Sequence, residues 1–174
     1  MLARHARAWS GTVYRAVPLA YSDPKAAFSG EGARQGGGRW NSPGRVAIYA
    51  SLVPEHAFAE RLAIARRRGA PDREVLSTTI LSAEVEVESL VSSSDLSVDE
   101  RERIDPIGVL TTFDWVSAND RRECAPSQLF GEVASRSGTE ALLVPSSAVS
   151  GALVVVLFPD RFQVPGRLRV QGAT

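Results

Sequence analysis

The chain has 174 residues, of which 44% are hydrophobic and 23% are charged, and 20 Lys and Arg residues balance 20 Asp and Glu residues. This composition excludes a disordered chain. It predicts one globular domain over residues 1–174, because domains commonly have about 100–200 residues. A chain without net charge lacks the electrostatic footprint of nucleic-acid-binding proteins, so we expect no direct binding to nucleic acid.

Cysteine and histidine are scarce, with one cysteine (Cys124) and two histidines in the chain. This excludes an internal disulfide framework and gives no structural zinc pattern, so we expect no metal site. The first residues lack the apolar core of a signal peptide, and no apolar stretch reaches the roughly 20 residues that span a bilayer. We therefore expect a cytoplasmic protein without membrane association.

The chain begins with one predicted strand and a long loop. Residues 12–16 are β-branched and aromatic, which indicates a short strand. Residues 20–38 are rich in glycine and show no sustained periodicity, which indicates a loop. A loop of this length inside a compact domain commonly has a binding function.

A turn, a strand and a helix are predicted next. Proline and glycine favour a type II turn at 42–45, because proline presets φ at the second position and glycine supplies a positive φ at the third. The next strand is expected at 46–50 and the helix at 54–68. Apolar residues at helical spacing put Glu60 at the border of the buried face. The arginines at 66–68 are interpreted as a solvated helix end.

The second half of the chain predicts further strands and two helices. Alternating Glu and Val residues indicate a strand at 76–90, and Ser97 with Glu100 forms a capping box before a helix that ends near Ile104. Another helix begins at Pro126. Its inward residues are expected to be Leu129, Phe130, Val133 and Ala134, with Gly138 as its C-cap. The remaining strands are predicted at 141–144 and 153–158 and as a final pair over 162–170 that turns at Pro165 and Gly166.

The order of these elements predicts an α+β fold, a single domain with a mixed or antiparallel sheet and flanking helices. Several functional motifs are excluded. The chain has no Walker A motif, no zinc-protease helix and no nucleophile elbow. The glycines after Gly30 do not match a dinucleotide fingerprint, because the third glycine is one position late and no strand precedes them.

The chemistry of residues 36–60 points instead to a phosphorylated ligand. Arg39 follows three glycines, where the backbone can approach a ligand closely, and a guanidinium binds phosphate oxygens with two hydrogen bonds. Tyr49 and Glu60 follow, and Arg15 precedes the segment. These four residues form a candidate site. Each also has a structural interpretation: a surface ion pair for the arginines, a core position for Tyr49 and a helix-surface charge for Glu60.

The segments Tyr14-Arg15, Gly37-Gly38-Arg39-Trp40-Asn41, Tyr49-Ala50-Ser51, Ala59-Glu60 and Val144-Pro145-Ser146 resemble the RES domain over about residues 12–160. That family is named for its Arg, Glu and Ser and supplies the toxin of bacterial toxin–antitoxin pairs with an Xre-type antitoxin. The resemblance implies a fold similar to the mono-ADP-ribosyltransferases. It also implies an enzyme that consumes NAD by phosphorolysis or hydrolysis, or that transfers ADP-ribose to a protein.

The resemblance also implies the roles of individual residues. Glu60, Arg39 and Tyr49 would be catalytic. The residues that would bind substrate are Arg15, Ser146, Trp40 and Ser51. Ser147 adjoins Ser146, so either serine is a candidate for the functional one. NAD would be the substrate, phosphate is a candidate co-substrate, and no cofactor is expected.

These residue types suit cleavage of the nicotinamide–ribose bond. That reaction develops an oxocarbenium-like cation on the ribose, which a nearby carboxylate such as Glu60 stabilises. Nicotinamide leaves as a neutral amine, so no catalytic histidine is needed. The leading hypothesis is a toxin that depletes NAD and is blocked by a cognate antitoxin. The alternatives are a transferase that modifies a specific protein and a nucleotide-binding module without turnover.

Overall fold

The structure is a computed structural model that describes residues 2–67, 69–71, 75–97, 99–100, 109–164 and 167–173. The main elements within these ranges are six strands and six α-helices. The strands are β1 (Arg7–Pro18), β2 (Ile48–Ser51), β3 (Thr78–Ser92), β4 (Ala141–Pro145), β5 (Leu153–Leu157) and β6 (Leu168–Ala173). The helices are α1 (Pro24–Ala27), α2 (Glu31–Gly36), α3 (Pro54–Arg67), α4 (Val109–Thr112), α5 (Trp115–Asp120) and α6 (Pro126–Arg136).

The strands form one mixed sheet in the order β1-β2-β5-β4-β3-β6. Strand β3 is its centre, because one of its edges pairs with β1 while the other pairs with β6 and then with β4. Strand β1 also pairs with β2 at Tyr14 and Ser51, so β1, β2, β5, β4 and β3 form a closed circuit of pairings. The β3–β4 pairing is parallel and the other described pairings are antiparallel. The predicted α+β fold with a mixed sheet and flanking helices is confirmed.

The sheet separates two apolar clusters. Along β5, Val155 and Leu157 belong to the first cluster, whereas Val156 belongs to the second. Successive side chains of a strand point to opposite faces, so one strand contributes to both clusters. A strand that is buried on both faces has a nearly continuous apolar sequence. This explains why the runs at 141–144 and 153–158 predicted their strands correctly.

The helix predicted at 54–68 and the strand predicted at 76–90 are confirmed as α3 and β3. Val85 and Val87 are buried while Glu86 and Glu88 are exposed, as strict alternation requires. The type II turn is also confirmed, because Gly44 has a φ of 97° and the Arg45 N–H donates to the Ser42 carbonyl at 3.3 Å.

The capping box of Ser97 and Glu100 is confirmed by two hydrogen bonds. The Ser97 N–H donates to Glu100 Oε2 at 2.9 Å, and the Glu100 N–H donates to Ser97 Oγ at 3.3 Å. The predicted helix end near Ile104 lies outside the described residues.

The predicted loop at 20–38 is wrong, since it contains α1 and α2. Helix α1 has local start signals: the Asp23 side chain accepts the Ala26 N–H at 2.7 Å, and a proline occupies the first turn. Helix α2 begins after Gly30, whose φ is 74°. The two helices have four and six residues, which is too short for an apolar period to appear in the sequence.

Two predictions near the C-terminal end also need correction. In α6, Leu129 and Val133 are 58% and 52% exposed, although they were expected to face inward. The buried face of this helix carries small and polar residues instead, among them Gln128, Gly131 and Ala134. Residues 162–164 form no strand, so β6 replaces the predicted final pair, and the turn at 165–166 lies outside the described residues.

No helix in the described part of the chain combines the length and apolarity that crossing a membrane requires.

Candidate active site

Glu60 lies half-buried on α3 and accepts a hydrogen bond from the segment after β4. The donor is Ser146 Oγ, at 2.5 Å from Glu60 Oε1. The same hydroxyl accepts the N–H groups of Ala148 and Val149 at 3.0 and 2.8 Å, which directs its proton toward the carboxylate. Ser147 is exposed. Of the two candidate serines, the structure therefore brings Ser146 to Glu60.

Tyr49 is fixed by the loop that carries Arg39. Its hydroxyl donates to Asn41 Oδ1 and accepts the Trp40 N–H, both at 2.8 Å. Burial raises the pKa of Tyr49, so the phenol stays neutral over the physiological range. A Cβ atom at Gly38 would lie 2.5 Å from the hydroxyl, so only glycine allows this approach. The ring of Tyr49 is partly buried and packs against the second apolar cluster.

Arg39 is half-buried, and one nitrogen of its guanidinium is hydrogen-bonded to backbone carbonyls of another segment. Its Nη1 donates to the carbonyls of Leu110 and Phe113 at 3.2 and 3.1 Å. Burial lowers the pKa of Arg39, and the positive charge of Arg67 lowers it further, while the negative charge of Glu60 opposes both. Arg39 therefore lies close enough to Glu60 and to Arg67 for these charges to interact.

Arg15 is on β1, opposite Leu81 of β3, and its side chain is half-buried. Its Cζ lies 5.9 Å from the centroid of the Phe28 ring. Burial lowers the pKa of Arg15 to about 10, so the guanidinium is still charged at neutral pH. The Arg15 side chain forms no hydrogen bond or ion pair with another described residue, which leaves its donors available to a ligand.

Trp40 and Ser51, expected to bind substrate, are both buried. The Trp40 side chain is 3% exposed and packs edge-on against Phe130, with ring centroids 5.8 Å apart. Ser51 is 2% exposed at the end of β2, where it pairs with Tyr14. Direct contact of these two residues with substrate stays a prediction.

Two buried amide side chains hold the site together, and neither was predicted from the sequence to be a functional residue. Asn41 Nδ2 donates to the carbonyls of Ala33 and Arg45 at 2.9 and 3.0 Å, besides the bond that Asn41 Oδ1 accepts from Tyr49. Gln128 Nε2 donates to the carbonyls of Gly38 and Asn41 at 3.0 and 3.2 Å. Asn41 stood in a recognisable motif, whereas nothing in the sequence near Gln128 signalled its role.

Two surface cavities lie away from this cluster. One, of about 730 Å³, is lined by β1, β3 and β6, where Arg167 bridges Glu86 and Glu88. The other, of about 460 Å³, lies beside the turn at 42–45 and includes Glu132. Neither cavity contains a residue of the predicted site, so the site is defined by the contacts among its side chains.

The chemistry available to the site is electrostatic. A carboxylate oriented by a serine lies near Arg39, and the neutral phenol of Tyr49 lies near both Arg39 and Arg15. Among the described residues, no group of three His, Cys, Asp or Glu side chains can hold a metal ion. Cys124 is exposed and contacts Ser42 Oγ at 3.6 Å, outside the cluster around Glu60. Such an arrangement can bind an anion with its guanidinium groups and stabilise a cation beside Glu60.

Fold and site together define a mixed α+β domain with an Arg–Tyr–Glu–Ser cluster at one end of its sheet. The family model described as the RES domain matches residues 12–173. The chain therefore belongs to the RES domain family, which confirms the resemblance seen in its motifs.

The solved structures include a similar chain in the crystal structure of the M. tuberculosis MbcT–MbcA toxin–antitoxin complex. Its TM-score is 0.74 at 25% sequence identity, and the match covers 99% of this chain and 87% of that one. No curated protein matches the chain.

Proposed function

We propose that this protein is the toxin of a toxin–antitoxin pair and that it depletes NAD by cleaving the bond between nicotinamide and ribose. The observation that carries the proposal is the contact between Glu60 and Ser146 beside Arg39. Membership of the RES domain family and the similarity to a chain of a toxin–antitoxin complex support it.

In the proposed reaction, Glu60 stabilises the cation that forms on the ribose. As the glycosidic bond breaks, its electron pair moves onto the ring nitrogen of nicotinamide, and positive charge develops on the sugar. A carboxylate gains attraction as that charge appears, so it binds the transition state more strongly than the substrate. Ser146 keeps one carboxylate oxygen in place by donating to it.

The nucleophile in this reaction is phosphate or water. Attack by a phosphate oxygen on the ribose carbon gives ADP-ribose 1″-phosphate and neutral nicotinamide. Attack by water gives ADP-ribose, nicotinamide and a proton. Nicotinamide needs no general acid because bond cleavage itself neutralises its ring nitrogen, which suits a site whose phenol is held neutral by burial.

Arg15, Arg39 and Tyr49 bind the substrate in this proposal. The guanidinium groups attract the phosphates, and the uncommitted donors of Arg15 suit a ligand oxygen. The Tyr49 ring stacks on nicotinamide, since its hydroxyl is already committed to Trp40 and Asn41. The partner that the comparison supports is an antitoxin protein, and we propose an Xre-type one that blocks access to this site.

The decisive experiment incubates the purified protein, freed of any bound partner, with NAD and measures free nicotinamide by chromatography. We expect the wild type to release nicotinamide, and release accelerated by phosphate identifies phosphorolysis. Glu60→Gln should lower the rate at least about 100-fold without changing the melting temperature, because it removes the charge that stabilises the transition state.

Glu55→Gln is the matched control, since Glu55 is exposed in the first turn of the same helix. NAD left intact by the wild type with and without phosphate would contradict the proposal, and label from NAD appearing on a protein would favour ADP-ribosyl transfer. Equal rates for Glu60→Gln and the wild type would exclude Glu60 as the catalytic carboxylate.

A further inference from the structure

Arginines without an acidic partner concentrate around the candidate site. Most arginines in the described ranges form ion pairs: Arg4, Arg7, Arg34, Arg45, Arg121, Arg136, Arg161, Arg167 and Arg169. The described arginines that form none are Arg15, Arg39, Arg61, Arg66, Arg67 and Arg122. Two of these are site residues and three lie on α3, the helix of Glu60. The surface around Glu60 therefore carries positive charge that no described carboxylate neutralises.

Arg67 lies on the same face of α3 as Glu60. Seven residues separate them, which is close to two turns, so their side chains leave the helix in nearly the same direction about 10 Å apart. Helix α3 is described as far as Arg67, and two residues later Gly69 has a φ of 65° and the Ala70 N–H donates to the Ala65 carbonyl at 2.9 Å. Arg67 is exposed, so its guanidinium is free to turn toward a ligand.

Arg39 and Arg67 form a pair of like charges. The charge of Arg67 lowers the pKa of Arg39, second only to burial. No ion pair joins Asp114 to either arginine in the described part of the chain; its carboxylate accepts hydrogen bonds from the N–H and the hydroxyl of Ser117 at 3.2 and 2.6 Å. Two cations held close together repel each other until an anion lies between them. This arrangement favours a ligand with more than one negative charge.

We propose that Arg67, together with Arg39, holds the diphosphate of the dinucleotide while the nicotinamide ribose lies over Glu60. The inference rests on the proposed function. A diphosphate fits this position better than an attacking phosphate, because the attacking group must touch the ribose carbon beside Glu60. The diphosphate is joined to that ribose through its 5′ carbon, so it lies away from the scissile bond. Arg67 likewise lies about two helix turns away from Glu60 along α3. Arg67 is thus a positioning residue for the substrate.

Steady-state kinetics with NAD test this assignment in Arg67→Ala, Arg67→Glu and Arg67→Lys. We expect KM to rise about tenfold in Arg67→Ala and further in Arg67→Glu, with kcat within about twofold, because a contact outside the reacting bond contributes mainly to binding. Arg67→Lys should recover part of the loss. Arg66→Ala is the matched control, since Arg66 is the preceding exposed arginine of the same helix turn.

Calorimetry with ADP and AMP provides a readout that needs no turnover. The wild type should bind ADP more tightly than AMP, and Arg67→Ala should remove that difference while Arg66→Ala keeps it. Equal effects of Arg67→Ala and Arg66→Ala on both KM and ADP affinity would overturn the inference while NAD cleavage by the wild type still upheld the proposed function. A wild type that leaves NAD intact would overturn the proposed function, and the ADP titration would still decide the role of Arg67.

Discussion

Arg15 and Glu60 carry opposite charges in half-buried positions, but the hydrogen bonding of their side chains differs. The Glu60 carboxylate accepts a hydrogen bond from Ser146, whereas the Arg15 side chain has no hydrogen-bond partner among the described residues. Burial without a partner disfavours a charged group, which is why the pKa of Arg15 falls to about 10. The unpartnered charge of Arg15 thus lowers the stability of the folded protein, and it leaves a cation available to a ligand.

Arg15→Met should therefore stabilise the fold and abolish substrate binding. The pKa of Arg15 is lower in the folded state than in the unfolded state, so at neutral pH the charged side chain opposes folding. Replacing it with an apolar side chain of similar length should add about 1 kcal/mol to the free energy of unfolding. Thermal unfolding should then show a rise of about 2–4 °C.

Arg15→Lys is the control for this change, since it retains a buried charge and should give no such stabilisation. A lower melting temperature for Arg15→Met than for the wild type would show that Arg15 is a structural residue. NAD turnover measured on the same samples should be lost in Arg15→Met.

At the scale of elements, α6 acts as a support for the loop that carries Arg39. Gln128 on this helix binds two carbonyls of the loop, and Gly131 lets the helix approach it closely. A Cβ atom at Gly131 would lie 1.8 Å from the Trp40 carbonyl oxygen. Close packing of backbone on backbone explains why the buried face of α6 has small and polar residues where the sequence predicted apolar ones.

Gly131→Ala should destabilise the protein by about 1–3 kcal/mol, because the extra methyl group forces α6 away from the loop. The displacement should also shift Arg39 and lower NAD turnover. Urea unfolding measures the first effect and nicotinamide release the second.

Gly32→Ala is the matched control, since a Cβ atom at this α2 position meets nothing within 4 Å. In a helix interior this change should be neutral or stabilising by up to about 1 kcal/mol. Equal stability of Gly131→Ala and the wild type would contradict the supporting role of α6.

At the scale of the whole molecule, the sheet brings distant parts of the chain to one place. Arg15 comes from β1, Tyr49 from β2, Glu60 from α3 and Ser146 from the end of β4. Ser146 and Glu60 are 86 residues apart in sequence. The closed circuit of strand pairings places these segments side by side, so the site depends on the complete sheet.

Ion pairs outside the site determine how the molecule responds to acid. The hydrogen bonds of Arg34, Arg4 and Arg45 are the largest causes that lower the pKa values of Glu31, Glu100 and Glu132, respectively, and that of Glu31 falls to about 2. A carboxyl group whose pKa is lower in the folded state stabilises the fold above its unfolded value of about 4.5. It loses this effect as pH falls toward the folded value.

We therefore expect the melting temperature to be steady from pH 7 to pH 5 and to fall between pH 4.5 and pH 2. Glu132→Gln should lower the melting temperature at pH 7 and reduce the drop on acidification, since it removes one of these carboxyl groups. Glu55→Gln should leave the curve unchanged, because Glu55 forms no ion pair with a described residue. Calorimetric scans across this pH range would contradict the expectation if the melting temperature stayed constant down to pH 3.

Short-range patterns predicted α3, β3, β4 and β5 well, because their apolar periodicity reflects burial along one segment. The same patterns failed for α1 and α2, which are too short to show an apolar period, and for the outward residues Leu129 and Val133. Periodicity reports which face is apolar, but α6 buries polar groups whose partners lie elsewhere in the chain.

The sequence alone determined the family resemblance and the identities of Arg15, Arg39, Tyr49 and Glu60 as candidates, because these depend on residue type and local motif. Only the tertiary structure decided that Ser146 rather than Ser147 contacts Glu60 and that Trp40 lies in the core. It also revealed that Arg67 lies on the same face of α3 as Glu60 and that its charge acts on Arg39. Hydrogen bonds and charge interactions act over a few ångströms in space, and the folded sheet sets those distances between residues far apart in the chain.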